Sequence, residues 1–462
     1  HRVDWDPMSF KEKVNWVKST TDIREGIGIP LRIGSKIIFH PEELLSTLNQ
    51  LFSEPEDEVV LEAIECENDV VIEEFIEGKE FSCIVIEDEK GIPVALPPTE
   101  IRKGREVYDY RSKYLPGLSR KITPIDLPEE DIQTIRVECQ QLFTDLKFSV
   151  YARIDGFILS DGKVYLNDPN TTSGMLPSSF FFHQAAEIGL NPSQFITYII
   201  RRSIAARIKE IKSLKMIPWL GSHLDRELRT MQNKLTDKEK VAVIMGGYST
   251  ERHISVESGR NVYEKLSSSE KYLPVPVFLS GASDDYKLYI IPVNLLLKDN
   301  ADDIREKIDS FNRHPVVDKI IHECREITDV FSSADNLAAP KEVTVNDLAE
   351  LVDAVFIALH GRPGEDGAIQ KDLEKAGLPY NGSGIESSRT TIDKFLTNEI
   401  LMENGMKAAS HRVVTEGEWR RDPAALEEDI LGEFSFPFIV KPVDDGCSSA
   451  VKIIRDENQF HA

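Results

Sequence analysis

The sequence predicts a mixed chain: an α+β part rich in antiparallel strands, followed by an open α/β part. Three observations carry this. Strand-like runs dominate from Asp69 to Asn170 and converge on a hairpin signal at Asp161-Gly162. From Val241 the style changes to short continuous apolar runs, each leading into a loop, as in buried parallel strands. Between the two lies a polar stretch, residues 218–240, that reads as a linker containing a helix.

Residues 1–57 read as irregular, with one helix at "PEELLSTLNQLF". Strands are expected at "VVIEEFI", "EFSCIVIED" and "PVALPPTEI". A helix follows: Ile132, Ile135, Cys139, Leu142 and Leu146 recur at helical spacing, and Pro128 with Glu129 to Asp131 makes a favourable first turn. "ARIDGFILSDGKVYLNDPN" is the hairpin. If Asp161 and Gly162 are its two loop residues, Ser160 faces Lys163, Leu159 faces Val164, Asp155 faces Asp168 and Arg153 faces Asn170. An apolar helix follows near "NPSQFITYIIRRSIAARIKEI". Beyond the linker, "VAVIM" and "VDAVFIALHG" are parallel strands whose loops, "GGYSTER" and "HGRPGEDG", share the carboxyl edge of the sheet, where ligands bind. Gly405, after Asn404, ends a helix, and "FPFIVKPVDDGCSSAVKII" starts a strand–loop–strand unit.

The bulk numbers narrow the function classes. The 462 residues suffice for more than one domain with its own core. A hydrophobic content of 41% and a charged content of 29% suit a soluble globular protein, without a membrane-length apolar run. A net charge of −24 argues against a nucleic-acid or anionic-membrane surface, which needs a basic footprint. The 5 cysteines are scattered without a CxxC pair, which fits a reducing cytoplasm better than a disulfide framework or zinc site. Both ends read as interior sequence, so a piece of a longer protein is expected.

Several stretches carry chemistry, each with a plainer alternative. In the expected register Arg153, Asp155, Asp168 and Asn170 lie on one face of the hairpin. Facing carboxylates repel unless something offsets them, and two acids with an amide are hard oxygen ligands suited to Mg²⁺. Arg153 beside them could stabilise an oxyanion or phosphoryl group. The alternative is a solvated face with a slipped register. Small residues in "PNTTSGM", Gly174 among them, let a ligand approach the backbone. "IVKPVDDGCSSA" delivers Lys441 from a strand into a loop with Gly446 and Ser448, a phosphate cradle or simply a turn. Glu73, Glu74 and Glu80 cluster around strands and on chemistry alone read as an exposed acidic edge. Lys113-Tyr114 and His360 are site residues or packed loop residues. Glu251 anchors an amine or favours the start of the helix after it.

Together these segments resemble the D-alanine–D-alanine ligase family, of the ATP-grasp fold. "VAVIMGGYSTERHISVESG", "VFIALHGRPGEDGAIQKDLEKAGLPYNGSG", "IDKFLTNEIL" and "FIVKPVDDGCSSA" resemble its first part. "VIEEFIEGKEFSC", "VYDYRSKY", "ARIDGF" and "LNDPNTTSGM" resemble its catalytic half. The order is reversed, so the chain looks like a window from two ligase units fused in tandem. The domains implied are the irregular start of a truncated ATP-grasp region at 1–57 and an ATP-grasp catalytic half at 58–215. After the linker at 216–238 come a Rossmann-like, pre-ATP-grasp domain at 239–385 and the start of a downstream ATP-grasp domain at 386–462.

The resemblance implies ATP and two Mg²⁺ ions, with Mn²⁺ able to substitute, and formation of D-alanyl-D-alanine through an acyl phosphate for peptidoglycan synthesis in the cytoplasm. Asp155, Asp168 and Asn170 would hold the metal, Asp168 standing where the family usually has Glu. Glu73, Glu74, Phe75 and Ile76 match the hinge that reads adenine, and Glu80 a ribose-binding acid. Lys113, Lys394 and Lys441 match phosphate-binding lysines, with Gly446 and Ser448 in the lid. Glu251 matches the acid on the first D-alanine amine and Arg153 the oxyanion-stabilising arginine. His360, Gly174, Ser179 and Phe180 fall among the substrate residues, as does Cys447, where the family has serine. Tyr114 after Lys113 accompanies dipeptide rather than ester formation. The alternatives are another amino-acid specificity or a non-catalytic nucleotide-binding fusion. The partners implied are small molecules, with no nucleic acid and no membrane, and a homodimer or intramolecular pairing of tandem units. Residues 239–462 and 1–215 could also dock as one permuted ligase.

Overall fold

The computed structural model describes residues 5, 7–21, 23, 30–53, 59–64, 71–103, 119–176, 179–210, 216–233, 237–283, 285–332, 334–444 and 450–460. The chain divides into two compact units, His1–Ile76 and Glu77–Ala462.

The first unit has more regular structure than its sequence suggests. Helix α1 (Phe10–Thr20) starts at a capping box, with Ser9 and Glu12 satisfying each other's backbone donors. Helix α2 (Pro41–Leu51) follows the expected "PEELLSTLNQLF", with Pro41 in its first turn. Strands β1 (Leu31–Ile33), β2 (Lys36–Ile38) and β3 (Glu62–Ala63) form a small antiparallel sheet in the order β2-β1-β3. Trp5, Val17, Leu31, Ile38, Leu44 and Leu48 make the core. The expected strand at "VVIEEFI" is absent: residues 71–76 pair with no neighbour among the described residues, and Ile72 is 93% exposed. Apolar alternation does not make a strand where no partner takes its backbone hydrogen bonds.

In the second unit, β4 (Lys79–Glu87), β5 (Pro93–Ala95), β6 (Thr99–Lys103), β7 (Ser119–Ile122), β8 (Tyr151–Ile158) and β9 (Val164–Asn170) form an antiparallel sheet ordered β7-β6-β4-β8-β9, with β5 on β4. Helix α3 (Glu129–Asp145) begins with Glu129, Glu130 and Asp131 and buries Ile132, Ile135, Cys139 and Phe143. Helices α4 (Phe180–Glu187) and α5 (Pro192–Glu210) follow. Gln184 of α4 joins β4 directly, accepting from Ile84 N at 2.8 Å and donating to Ser82 O at 2.8 Å. Helix α6 (Met216–Asn233) occupies the polar stretch expected to be a linker and packs on α5.

The α/β part is a sheet ordered β13-β12-β11-β10-β14, built from β10 (Glu239–Gly246), β11 (Tyr272–Ala282), β12 (Asp285–Ile290), β13 (Lys341–Val343) and β14 (Ala354–Ile357). β10 runs parallel to β11 and β14, as the apolar runs predicted, whereas β12 and β13 are antiparallel additions. The helices here are α7 (Arg252–Ser267), α8 (Val293–Leu296), α9 (Ala301–Asp309), α10 (Pro315–Glu323), α11 (Arg325–Phe331), α12 (Val345–Leu351) and α13 (Ala368–Lys375). Beyond them lie α14 (Ile385–Ile392), α15 (Lys394–Glu403), α16 (Glu416–Arg421), α17 (Pro423–Glu433), the hairpin β15 (Phe438–Val440) and β16 (Lys452–Ile454), and α18 (Glu457–Phe460). Gly405 ends α15 at φ +75°, as expected.

The antiparallel sheet and the α/β part share one hydrophobic core. Ile84, Phe181, Phe195 and Tyr198 from the earlier part join Met245, Val256, Leu296, Val317 and Phe331 from the later. Polar groups cross the same boundary. Glu187 at the end of α4 accepts from Lys298 Nζ at 2.9 Å and Asn294 Nδ2 at 3.0 Å. Arg136 of α3, 1% exposed, donates to Ala95 O at 2.9 Å and pairs with Glu323 of α10. His183 is buried among the cations Lys121, Lys298 and Arg260; burial first, then those charges, hold it well below the usual imidazole range.

Candidate active site

Strand β8 alternates strictly. Ala152, Ile154, Gly156 and Ile158 are buried on the side packed by α3, and Arg153, Asp155 and Phe157 are half-buried on the other. Gly156 is required here, because an added Cβ would lie 2.5 Å from Tyr165 O and 2.7 Å from Phe81 Cζ. The register differs from the two-residue loop expected. Leu159 N donates to Lys163 O at 2.9 Å and Gly162 N to Leu159 O at 3.0 Å, so Ser160, Asp161 and Gly162 form the loop, with Gly162 at φ +81°. Asp155 therefore faces Asn167, not Asp168. A bulge then inserts Asp168 at φ +46° and restores the expected pairing of Arg153 with Asn170. The extra loop residue and the bulge cancel, which is why the far end of the hairpin reads correctly and its middle does not.

Arg153 Nη2 lies 3.1 Å from Asp155 Oδ2, with the two side chains 19% and 20% exposed. Arg153 Nε is buried and has no hydrogen-bond partner among the described residues, leaving one donor uncommitted. Asn170 Nδ2 donates to Asp168 O at 2.6 Å and pins the bulge. On β4, Ser82 pairs with Asp155 and Glu80 with Phe157, so Glu80 shares the Arg153–Asp155 face. Ser179 is the N-cap residue of α4 without capping it; its Oγ is buried and unpartnered among the described residues. Phe180 lies 5.6 Å under Lys121 Nζ. At Gly174 an added Cβ meets nothing within 4 Å, so no packing demands glycine there.

The second cluster sits at the carboxyl edge of β10 and β14, where "GGYSTER" and "HGRPGEDG" were expected to meet. Glu251 is the N-cap residue of α7, and its Oε2 would lie 3.1 Å from a Cβ added to Gly361. Ser249 Oγ donates to His360 O at 2.7 Å, and Ser258 Oγ lies 2.9 Å from His360 Nε2. Ser255 Oγ accepts from Gly246 N at 2.9 Å and donates to Ala358 O at 3.0 Å, tying the two strand ends together. Further on, Lys394 opens α15 and donates to Val443 O from both N, at 3.0 Å, and Nζ, at 3.2 Å, which places it beside the exposed Lys441 segment.

Two family models match in this chain: residues 51–201 match the C-terminus of the D-ala D-ala ligases, and residues 240–383 match their N-terminus. The chain belongs to the D-alanine–D-alanine ligase family. Its two parts occur in reversed order, as the sequence motifs indicated. A D-alanine–D-alanine ligase of Caldicellulosiruptor bescii is 31% identical over 223 residues, 48% of this chain and 55% of that protein. One of Chlorobium limicola is 30% identical over 218 residues, 46% and 54% respectively. The chain thus spans about half the length of these relatives. The solved ligase of Bacillus anthracis matches at 26% identity over 48% of this chain and 51% of that one, with a TM-score of 0.30.

Among the residues expected from the ligase resemblance, the structure brings Arg153, Asp155, Asn170 and Glu80 to one face of the sheet, leaves Asp168 in the bulge without a register partner, and brings Glu251 and His360 to one loop pair. Glu73, Glu74, Phe75 and Ile76 fall in the first unit and are largely exposed, Phe75 at 78%. Lys113, Tyr114, Gly446, Cys447 and Ser448 lie outside the described residues. Sequence reasoning missed Asn167, which replaces Asp168 opposite Asp155, and the serines 249, 255 and 258 that hold the Glu251 and His360 loops. The serines were visible only as hydroxyl residues of "YSTERHISVES", without a pattern that marked their partners.

Proposed function

We infer that this chain carries an ATP-dependent carboxylate–amine ligase site for D-alanine. The observation that carries the reading is that one compact unit holds residues matching both ends of the ligase family, joined by a common core although their order is reversed. In the reaction inferred, the carboxylate of one D-alanine takes the γ-phosphoryl group of ATP and ADP leaves. The amine of a second D-alanine then attacks the acyl phosphate, phosphate departs, and the amine loses a proton. Positioning and charge neutralisation suffice for the first step.

This chain's residues suit those tasks. Glu251, at the edge of the parallel sheet, would bind the first amine, with His360 held beside it by Ser249 and Ser258. The uncommitted Nε of Arg153 would serve the developing oxyanion, and Ser179 Oγ would hold the second carboxylate. Asp155, Asp168 and Asn170 would supply two carboxylates and an amide, hard oxygen donors of the kind Mg²⁺ takes, with Asp168 reaching from a bulge held in a strained backbone region and not from the position opposite Asp155. When bound, Mg²⁺ would offset phosphate charge. Glu80 on the same face suits a ribose hydroxyl. Among the described residues no helix is long and apolar enough to cross a membrane. A cytoplasmic role in making the dipeptide for peptidoglycan follows from this reading.

The test is ADP release by the purified chain with a panel of amino acids. D-alanine-dependent release with D-alanyl-D-alanine as product is expected. Release driven better by another amino acid would move the specificity, and ATP binding without release would leave a nucleotide-binding module.

A further inference from the structure

The double proline Pro97-Pro98 interrupts the antiparallel sheet beside β4. β4 pairs with β5 as far as Val85 opposite Ala95, and with β6 where Ser82 lies opposite Thr99. Leu96 N still donates to Ile84 O at 2.8 Å, but the two prolines after it have no N–H to give. Gln184 of α4 fills the gap. Its Oε1 accepts from Ile84 N at 2.8 Å, and its Nε2 donates to Ser82 O at 2.8 Å and to Thr99 Oγ1 at 3.1 Å. The amide oxygen and both amide protons are engaged, so the side chain stands in for the peptide group of a missing strand partner. Gln184, Ser82 and Thr99 are all fully buried. The two β4 residues it holds are those opposite the hairpin site: Ser82 pairs with Asp155 of β8, and Ile84 with Arg153. One turn before Gln184, on the same side of α4, stands Phe180, with Ser179 before it.

We propose that Gln184 is a positioning residue of the ligase site, fixing the first turn of α4, with Ser179 and Phe180, against the Arg153–Asp155 face. The inference rests on the ligase reading and adds a residue to it. Apolar contact between a helix and a sheet has no direction and tolerates sliding, whereas a hydrogen bond weakens steeply with misalignment. Phe181, Phe182, Ala185 and Ala186 give α4 its buried area, and the amide gives it one place along the strand. β4 is itself held by its pairing with β8 from Lys79 to Ile86, so loss of the amide frees the helix and not the strand. Glutamine suits the task. The gap presents one donor and one acceptor side by side, and an amide answers both without charge. A carboxylate would answer only Ile84 N and would repel the Ser82 carbonyl.

The experiment is steady-state ADP release by the full chain with D-alanine and ATP, comparing the parent, Gln184→Met and Gln184→Glu below their melting temperatures. Methionine keeps the bulk and removes the hydrogen bonds. A merely structural loss lowers the folded fraction, and so the apparent kcat, but leaves KM where it was. A displaced α4 raises the KM for D-alanine, by at least about tenfold for a hydrogen bond to a charged group, with the KM for ATP unchanged. Gln184→Glu adds a pH readout and decides the matter if Gln184→Met fails to fold. Its protonated carboxyl offers an acceptor and a donor as the amide does, and burial raises its pKa. Its KM for D-alanine should match the parent's on the acid side and climb above it between about pH 6 and pH 9, as the carboxyl ionises. A parent without D-alanine-dependent release would overturn the ligase reading and this inference with it. An active parent with an unmoved KM in Gln184→Met, or a Gln184→Glu profile parallel to the parent's, would overturn the inference alone. So would failure of both variants to fold, which would make Gln184 a residue of the fold only.

Discussion

His183 is the side chain whose charge state the structure constrains most openly. It packs between two parts of one core, faces Lys121, Lys298 and Arg260, and its Nε2 has no hydrogen-bond partner among the described residues. Its folded pKa is lowered, so at acid pH the unfolded chain binds the extra proton and the folded chain resists it. Stability is therefore complete above the unfolded histidine value, about 6.5, and is lost as pH falls below it. Urea denaturation midpoints should drop between neutral pH and about pH 5, and His183→Phe should flatten that slope. Asp168 offers a second residue-scale prediction. A non-glycine residue at φ +46° is strained by roughly 1–2 kcal/mol, so Asp168→Gly should melt at or slightly above the parent and Asp168→Ala below Asp168→Gly. Both should lose Mg²⁺-dependent nucleotide binding. Unfolding by Asp168→Gly would show the bulge to be held by its carboxylate instead.

At the scale of elements, the Asp161-Gly162 pair announced the hairpin correctly and its loop length incorrectly. The same dipeptide serves two- and three-residue loops, and the choice depends on twist against β4, which sequence does not display. The parallel strands β10 and β14 were legible because burial on both faces writes an unbroken apolar run. Helix α1 was missed although Ser9 and Glu12 spell its capping box, because the apolar residues behind them are few. "VVIEEFI" failed in the opposite way, with the pattern of a strand and no partner among the described residues to pair with. The Glu187–Lys298 contact could not be read at all, since it joins positions 111 residues apart. Its side chains are 5% and 10% exposed, so Lys298→Met alone should strand a buried carboxylate and cost about 3–5 kcal/mol. Lys298→Met with Glu187→Gln should recover much of that loss in urea denaturation. An additive double variant would place the stabilisation elsewhere.

At the scale of the molecule, the reversed order of the two family segments was plain in the motifs, which raised their docking as one body and left it open. Motifs report local backbone and ligand chemistry, whereas the shared core depends on surfaces that match only after folding, such as Phe181 and Tyr198 with Leu296 and Phe331. We propose that these segments serve one ligase site in permuted order, Glu251 contributing from the later part and Arg153 from the earlier. The direct measurement is D-alanine-dependent ADP release by the full chain and by two single variants, Glu251→Ala and Arg153→Ala. Release by the parent, falling at least about a hundredfold in each variant with the fold intact, is the result expected when both groups act on one transition state. Turnover that persists in either variant, or ADP release indifferent to D-alanine, would contradict it.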